Sequence, residues 1–101
     1  MAHNYSPQQP YIGIFTSRQQ PILAISDGTV IYAKPHDMIC IQHPNNMISI
    51  YRNIDDMLVE TSEYISSGQV IAHTAKDSST TLLELWVNGQ AANPQNYILF
   101  E

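Results

Sequence analysis

The sequence predicts an all-β fold, a small antiparallel sandwich or barrel, and three observations lead there. Turn-forming residues recur roughly every eight to twelve positions, with short strand-like runs between them. Thr29 to Ala33 alternates cleanly between residue types, the period of a strand with two different faces. Only Ile54 to Glu63 has even a weak helical spacing, through Ile54, Met57 and Leu58, enough for a turn or two of helix. Many short strands with so little helix make a sandwich or barrel.

The strands follow in order. Tyr11 to Phe15 is rich in β-branched and aromatic residues. Pro21 to Ile25 comes next and is closed by Asp27-Gly28, a strong hairpin signal. Thr29 to Ala33 ends at Pro35. Met38 to His43 and Met47 to Arg52 flank Pro44-Asn45-Asn46 and read as a hairpin. Gln69 to Ala75, Thr81 to Val87 and Tyr97 to Phe100 complete the set, with turns at Gly68 and Asn88-Gly89. The polar segments Met1 to Pro10 and Lys76 to Thr80 read as loops.

A chain of 101 residues is expected to form one domain, residues 1–101, with residues 1–10 as a polar arm. Its 44% hydrophobic content supports a core and argues against disorder. No run approaches the roughly 20 apolar residues of a membrane span. Met1 to Gln9 has no basic region followed by an apolar one, so no signal peptide is visible.

Four Lys plus Arg against nine Asp plus Glu give a net charge of −5. Nucleic-acid binding needs clustered cations to replace counterions, so that class of partner is set aside. Asp55, Asp56, Glu60 and Glu63 read as a solvated turn face. Cys40 is the only cysteine, which precludes an intramolecular disulfide, and its strand-like setting predicts a buried thiol.

The residue types that carry chemistry are sparse. His3, His36, His43 and His73 are scattered without i+2 or i+4 pairs, so no metal site is expected from them. There is no Gly-x-Ser-x-Gly elbow for a serine hydrolase. A lipoyl or biotinyl carrier would need a lysine at a hairpin tip, and Lys34 and Lys76 lie outside any Met-Lys turn. The aromatic residues read mainly as cross-strand or core pairs.

Several motifs fall in a familiar order. They are Pro21-Ile-Leu-Ala24 with Asp27-Gly28-Thr-Val30, Ile41-Gln-His43 with Asn45-Asn46, and Ile50-Tyr51. Ser67-Gly68-Gln-Val-Ile-Ala72, Glu84-Leu85-Trp-Val-Asn88-Gly89 and Asn93-Pro94 with Tyr97 follow. From about Tyr11 to Phe100 the chain resembles the LytM-type (lysostaphin-like) zinc endopeptidases, which cut peptide cross-links in bacterial peptidoglycan. The resemblance implies an antiparallel, duplicated-hybrid-motif-like β architecture whose central sheet floors a groove. It also implies a zinc held by a His-x-x-x-Asp motif and a late His-x-His, with another histidine from a Tyr-x-His stretch. Such a catalytic zinc keeps one position open for water.

Carried over by position, the resemblance places the early pair at Gln9 and Gly13 and the late pair at Thr80 and Leu82. The Tyr-x-His stretch becomes Tyr51-Arg52-Asn53, so that Asn53 holds the histidine position. Gly13 and Leu82 offer no side-chain donor, and Gln9 and Thr80 are poor zinc ligands. His43 matches a family histidine that is not a ligand, and hydrogen bonding near a turn is its expected role. The groove floor would carry Leu82, Glu84 and Trp86, while Leu83, Leu85 and Val87 point into the core.

The expectation is therefore a non-catalytic LytM-like domain of the bacterial cell envelope or periplasm, needing no cofactor. It would bind peptidoglycan or a protein partner, such as a cell-wall hydrolase or scaffold, through Asn53, Thr80, Glu84 and Trp86. The alternative is a divergent zinc metalloendopeptidase with replacement ligands.

Overall fold

The computed structural model describes residues 11–15, 21–74 and 81–92. They form β1 (Tyr11–Phe15), β2 (Pro21–Leu23), β3 (Gly28–Lys34), β4 (Met38–His43), β5 (Met47–Arg52), β6 (Ile54–Asp55), β7 (Tyr64–Ile65), β8 (Val70–Thr74), β9 (Thr81–Val87) and β10 (Gln90–Ala92). The larger sheet has the order β1-β9-β5-β4-β3-β7, with β10 also paired to β9. The smaller sheet is β2-β8-β6, and every pairing in both is antiparallel. The fold is all-β, as the turn spacing predicts.

One apolar cluster draws on both sheets. Val30, Ile39, Ile41, Tyr51, Ile65 and Leu83 come from the larger sheet, and Ile22, Ile54, Ile71 and Ala72 from the smaller. Period-two alternation aims these side chains to one side of the larger sheet and leaves its other face open for a different use. Leu83 and Leu85 are buried as expected, whereas Val87 is only half-buried because β9 is ending there.

His43, Ser49 and Tyr51 carry polar groups into the core and are hydrogen-bonded there. His43 sits 2.8 Å from the Asp27 carbonyl through Nδ1 and 2.7 Å from Ser49 Oγ through Nε2. A carbonyl can only accept, so Nδ1 carries the proton and Nε2 accepts from the serine. Burial holds the His43 pKa below its usual value, against the pull of the Asp27 backbone and carboxylate. The backbone N–H of Ile25 donates to Tyr51 Oη at 3.0 Å. Burial pushes the Tyr51 phenol up to about 12, with the Ile25 and Ser49 hydrogen bonds acting in the other direction.

The helical expectation for Ile54 to Glu63 is wrong. Asn53 and Asp56 have φ of 62° and 47°, in the left-handed region that interrupts a right-handed helix. Ile54 and Asp55 instead pair with Thr74 and His73, and the Leu58 N–H donates to the Ile71 carbonyl at 2.9 Å. The spacing of Ile54, Met57 and Leu58 reflects irregular chain laid against β8; Ile54 is buried and Leu58 exposed. The expected strand Pro21 to Ile25 stops at Leu23, and the expected Gln69 to Ala75 is described as Val70–Thr74. Tyr97 to Phe100 and the loops at residues 1–10 and 76–80 lie outside the described residues.

Candidate functional site

The face of the larger sheet opposite the core is organised in register rows. Gly13 pairs with Leu82, Leu82 with Arg52, Arg52 with Met38, and Met38 with Lys34, so one row crosses five strands. The next row runs from Tyr11 through Glu84, Ile50 and Cys40 to Tyr32. A third joins Ala91, Trp86, Ile48 and Gln42. The face predicted to floor the groove thus holds Leu82, Glu84 and Trp86 together with residues of β5, β4 and β3.

Its centre is a polar triad. Arg52 donates from Nε to Glu84 Oε2, and Trp86 donates from Nε1 to Glu84 Oε1 at 3.1 Å. The Glu84 side chain is 8% exposed and that of Arg52 42%. Arg52 and Glu84 are diagonal neighbours on paired strands, a separation that long side chains span. A buried carboxylate needs such partners, because leaving it unpaired would cost several kcal/mol. The hydrogen bond from Glu84, helped by its charge, raises the Arg52 pKa further above its ordinary value despite some burial. Arg52 also points Nη1 at Met38 Sδ, 3.3 Å away. In the row of Glu84 and Ile50, Cys40 is buried, and desolvation raises its thiol pKa, with Arg52 acting against that shift and Glu84 and Asp37 adding to it.

The structure brings several of the expected site residues to one end of this face. Gly13 and Leu82 are directly opposed across β1 and β9. Asn53 follows β5, accepts at its carbonyl from Thr81 Oγ1 at 3.1 Å, and donates its N–H to the Asp37 carbonyl at 3.2 Å. Gln9 and Thr80 lie outside the described residues. The residues missed from sequence are Arg52 and Lys34. A charged residue closing the apolar run Met47-Ile-Ser-Ile-Tyr51, in a chain with four Lys plus Arg, was the available signal.

Zinc does not fit the row that carries these positions. Gly13 has no side chain, Leu82 is a hydrocarbon, and Arg52 adds a fixed positive charge beside them. Among the described residues no three of His, Cys, Asp and Glu are grouped so as to hold a metal ion. Along the same face, towards the turns after β4 and β9, Gln42, Asn46, Ile48, Asn88 and Gly89 line a cavity of about 390 Å³.

The sequence of this chain is similar to those of several other proteins. The murein hydrolase activator NlpD of Escherichia coli is 33% identical over 95 residues, covering 86% of this chain and 25% of that protein. The chain therefore spans about a quarter of the length of that relative. Lipoprotein NlpD of Yersinia enterocolitica is 32% identical over 90 residues, covering 81% of this chain and 93% of that sequence. Among solved structures, the antimicrobial peptidase lysostaphin from Staphylococcus simulans superposes with a TM-score of 0.78 at 20% identity, over 96% of this chain and 48% of that one. That likeness concerns the fold. Residues 9–94 match the model of peptidase family M23, and the chain belongs to that family.

Proposed function

We propose that this chain is a non-catalytic M23 domain of the bacterial cell envelope that binds a murein hydrolase through the open face of its larger sheet. Residues 1–101 act as one unit in this reading, with residues 1–10 as an arm. The observation that carries it is the replacement at the row of Gly13, Leu82 and Arg52. At two of the positions where the family resemblance puts metal ligands, Gly13 and Leu82, this chain has no side-chain donor, and the guanidinium of Arg52 stands beside them in the row. The face is nevertheless ordered. Glu84 fixes both Arg52 and Trp86, which is the preorganisation that a binding surface uses to limit the entropy lost on association. Trp and Arg are also the residues that most often dominate protein interfaces. NlpD of Escherichia coli, named a murein hydrolase activator, gives the class of partner.

The test is digestion of purified sacculi by a murein hydrolase from the same organism, with and without this domain. The domain alone should release nothing, and it should accelerate the hydrolase. Trp86→Ala should lose most of that acceleration while keeping its fold. Release of cross-link peptides by the domain alone, with stoichiometric zinc, would make it an enzyme. Saturable co-sedimentation with sacculi, lost in Trp86→Ala and without effect on any hydrolase, would make it a wall-binding module.

A further inference from the structure

We infer that the partner segment seated on this face is acidic, with one carboxylate on Arg52 and a second met by Lys34. This inference rests on the groove-binding reading above and specifies the chemistry of its partner.

The chain carries four Lys plus Arg within a net charge of −5. Lys34 and Arg52 are the two cations among the described residues, and both fall in one register row, on either side of Met38. Alternation puts them on the same face. Two of the chain's four cations thus stand on one face.

Each cation has an ion-pair partner and keeps donors that the partner does not use. The Lys34 side chain is 62% exposed and its contact with Asp37 is a loose 3.9 Å surface pair, of the kind that contributes little. Arg52 gives Nε to Glu84, but its Nη1 faces the thioether of Met38, a weak acceptor. A carboxylate arriving from outside would exchange that sulfur for a charge-assisted bond, about twice as strong as a neutral one. Glu84 has already fixed the guanidinium, so little side-chain freedom remains to be lost. The anions nearby are Glu84 and Asp37. Glu84 is buried and committed to Arg52 and Trp86, and Asp37 can turn to water because its side chain is 47% exposed.

Spacing sharpens the inference. Lys34 and Arg52 are separated by two interstrand steps, roughly 10 Å. That distance corresponds to acidic residues three apart in an extended segment, or about seven apart on a helix crossing the strands. Half-buried Trp86, Ile48 and Ile50 on the same face would receive the apolar side chains beside them.

The experiment is selection of a random displayed peptide library on the folded domain, repeated with Arg52→Gln and Lys34→Gln. Wild type should enrich Asp and Glu at one of the two spacings, and Arg52→Gln should abolish the enrichment. For the best selected peptide, Arg52→Gln should weaken binding by about tenfold or more and Lys34→Gln by a few fold. Lys34 is exposed, so its variant tests the idea even if Arg52→Gln unfolds. Peptides selected without acidic enrichment, yet lost in Trp86→Ala, would overturn the charge assignment and leave groove binding intact. Failure to select any peptide, together with no effect on a hydrolase, would remove both.

Discussion

Arg52 and Glu84 meet diagonally across β5 and β9, the guanidinium half in water and the carboxylate beneath it. Neither residue could take this position without the register that opposes Arg52 to Leu82 and Ile50 to Glu84. The pair therefore reports on the sheet as much as on the site.

Breaking the pair from its two ends should have unequal effects. Arg52→Met strands a buried carboxylate, leaving it only the Trp86 N–H, and should cost about 1–3 kcal/mol. Glu84→Gln removes the buried charge and keeps one amide oxygen that accepts from one of the two donors, and should cost about 1 kcal/mol. Urea denaturation of the two variants should show Arg52→Met as the weaker protein.

His43 should make the fold sensitive to acid. Its folded pKa is depressed by burial, so the unfolded chain binds more protons as pH falls. The stability it contributes is complete above the unfolded value of about 6.5 and is lost below it, towards the folded pKa. Thermal unfolding from pH 7.5 to 5 should show a falling midpoint, and His43→Gln should flatten that slope.

Of Gly28, Gly68 and Gly89, Gly28 is the one whose replacement should be most damaging. A Cβ there would lie 2.4 Å from the Gln42 carbonyl oxygen and 2.8 Å from Ile41 Cγ2. Gly28→Ala should cost about 1–3 kcal/mol, and more if β3 must shift. Gly89→Ala has open space around its Cβ but must hold a φ of 77°, a backbone penalty of about 1–2 kcal/mol. Thermal unfolding of the two variants checks the order.

Cys40 should be inert in the folded protein. It is buried, and desolvation raises its thiol pKa, which suppresses the thiolate that reacts. Iodoacetamide at pH 8 should label it slowly under native conditions and rapidly in denaturing urea, as followed by mass spectrometry. Rapid labelling without urea would mean that the sheet around Cys40 opens readily.

The strands legible in the sequence were those with enough length to show a pattern. Met38 to His43 and Met47 to Arg52 carry their hairpin turn between them, and both bounds held. The two-residue strands β6 and β7 gave no period to read, and their pairing with β8 and β3 is fixed only by distant chain. The core assignment of Leu83 and Leu85 followed from alternation alone. The role of Arg52 is not legible locally, because its partner lies 32 residues away. Such a relationship exists in the register and is invisible in local sequence.

Strand β9 sends Leu83 and Leu85 one way and Leu82, Glu84 and Trp86 the other. For a lineage under mutation this separates two inheritances. Changes at even-numbered positions can rewrite what the surface recognises, while the odd-numbered positions preserve the ability to fold. A substitution at Leu82, Glu84 or Trp86 thus leaves the packing of Leu83 and Leu85 untouched. The same property makes this strand a practical scaffold for engineering new recognition, with Leu82 and Trp86 as the first positions to vary.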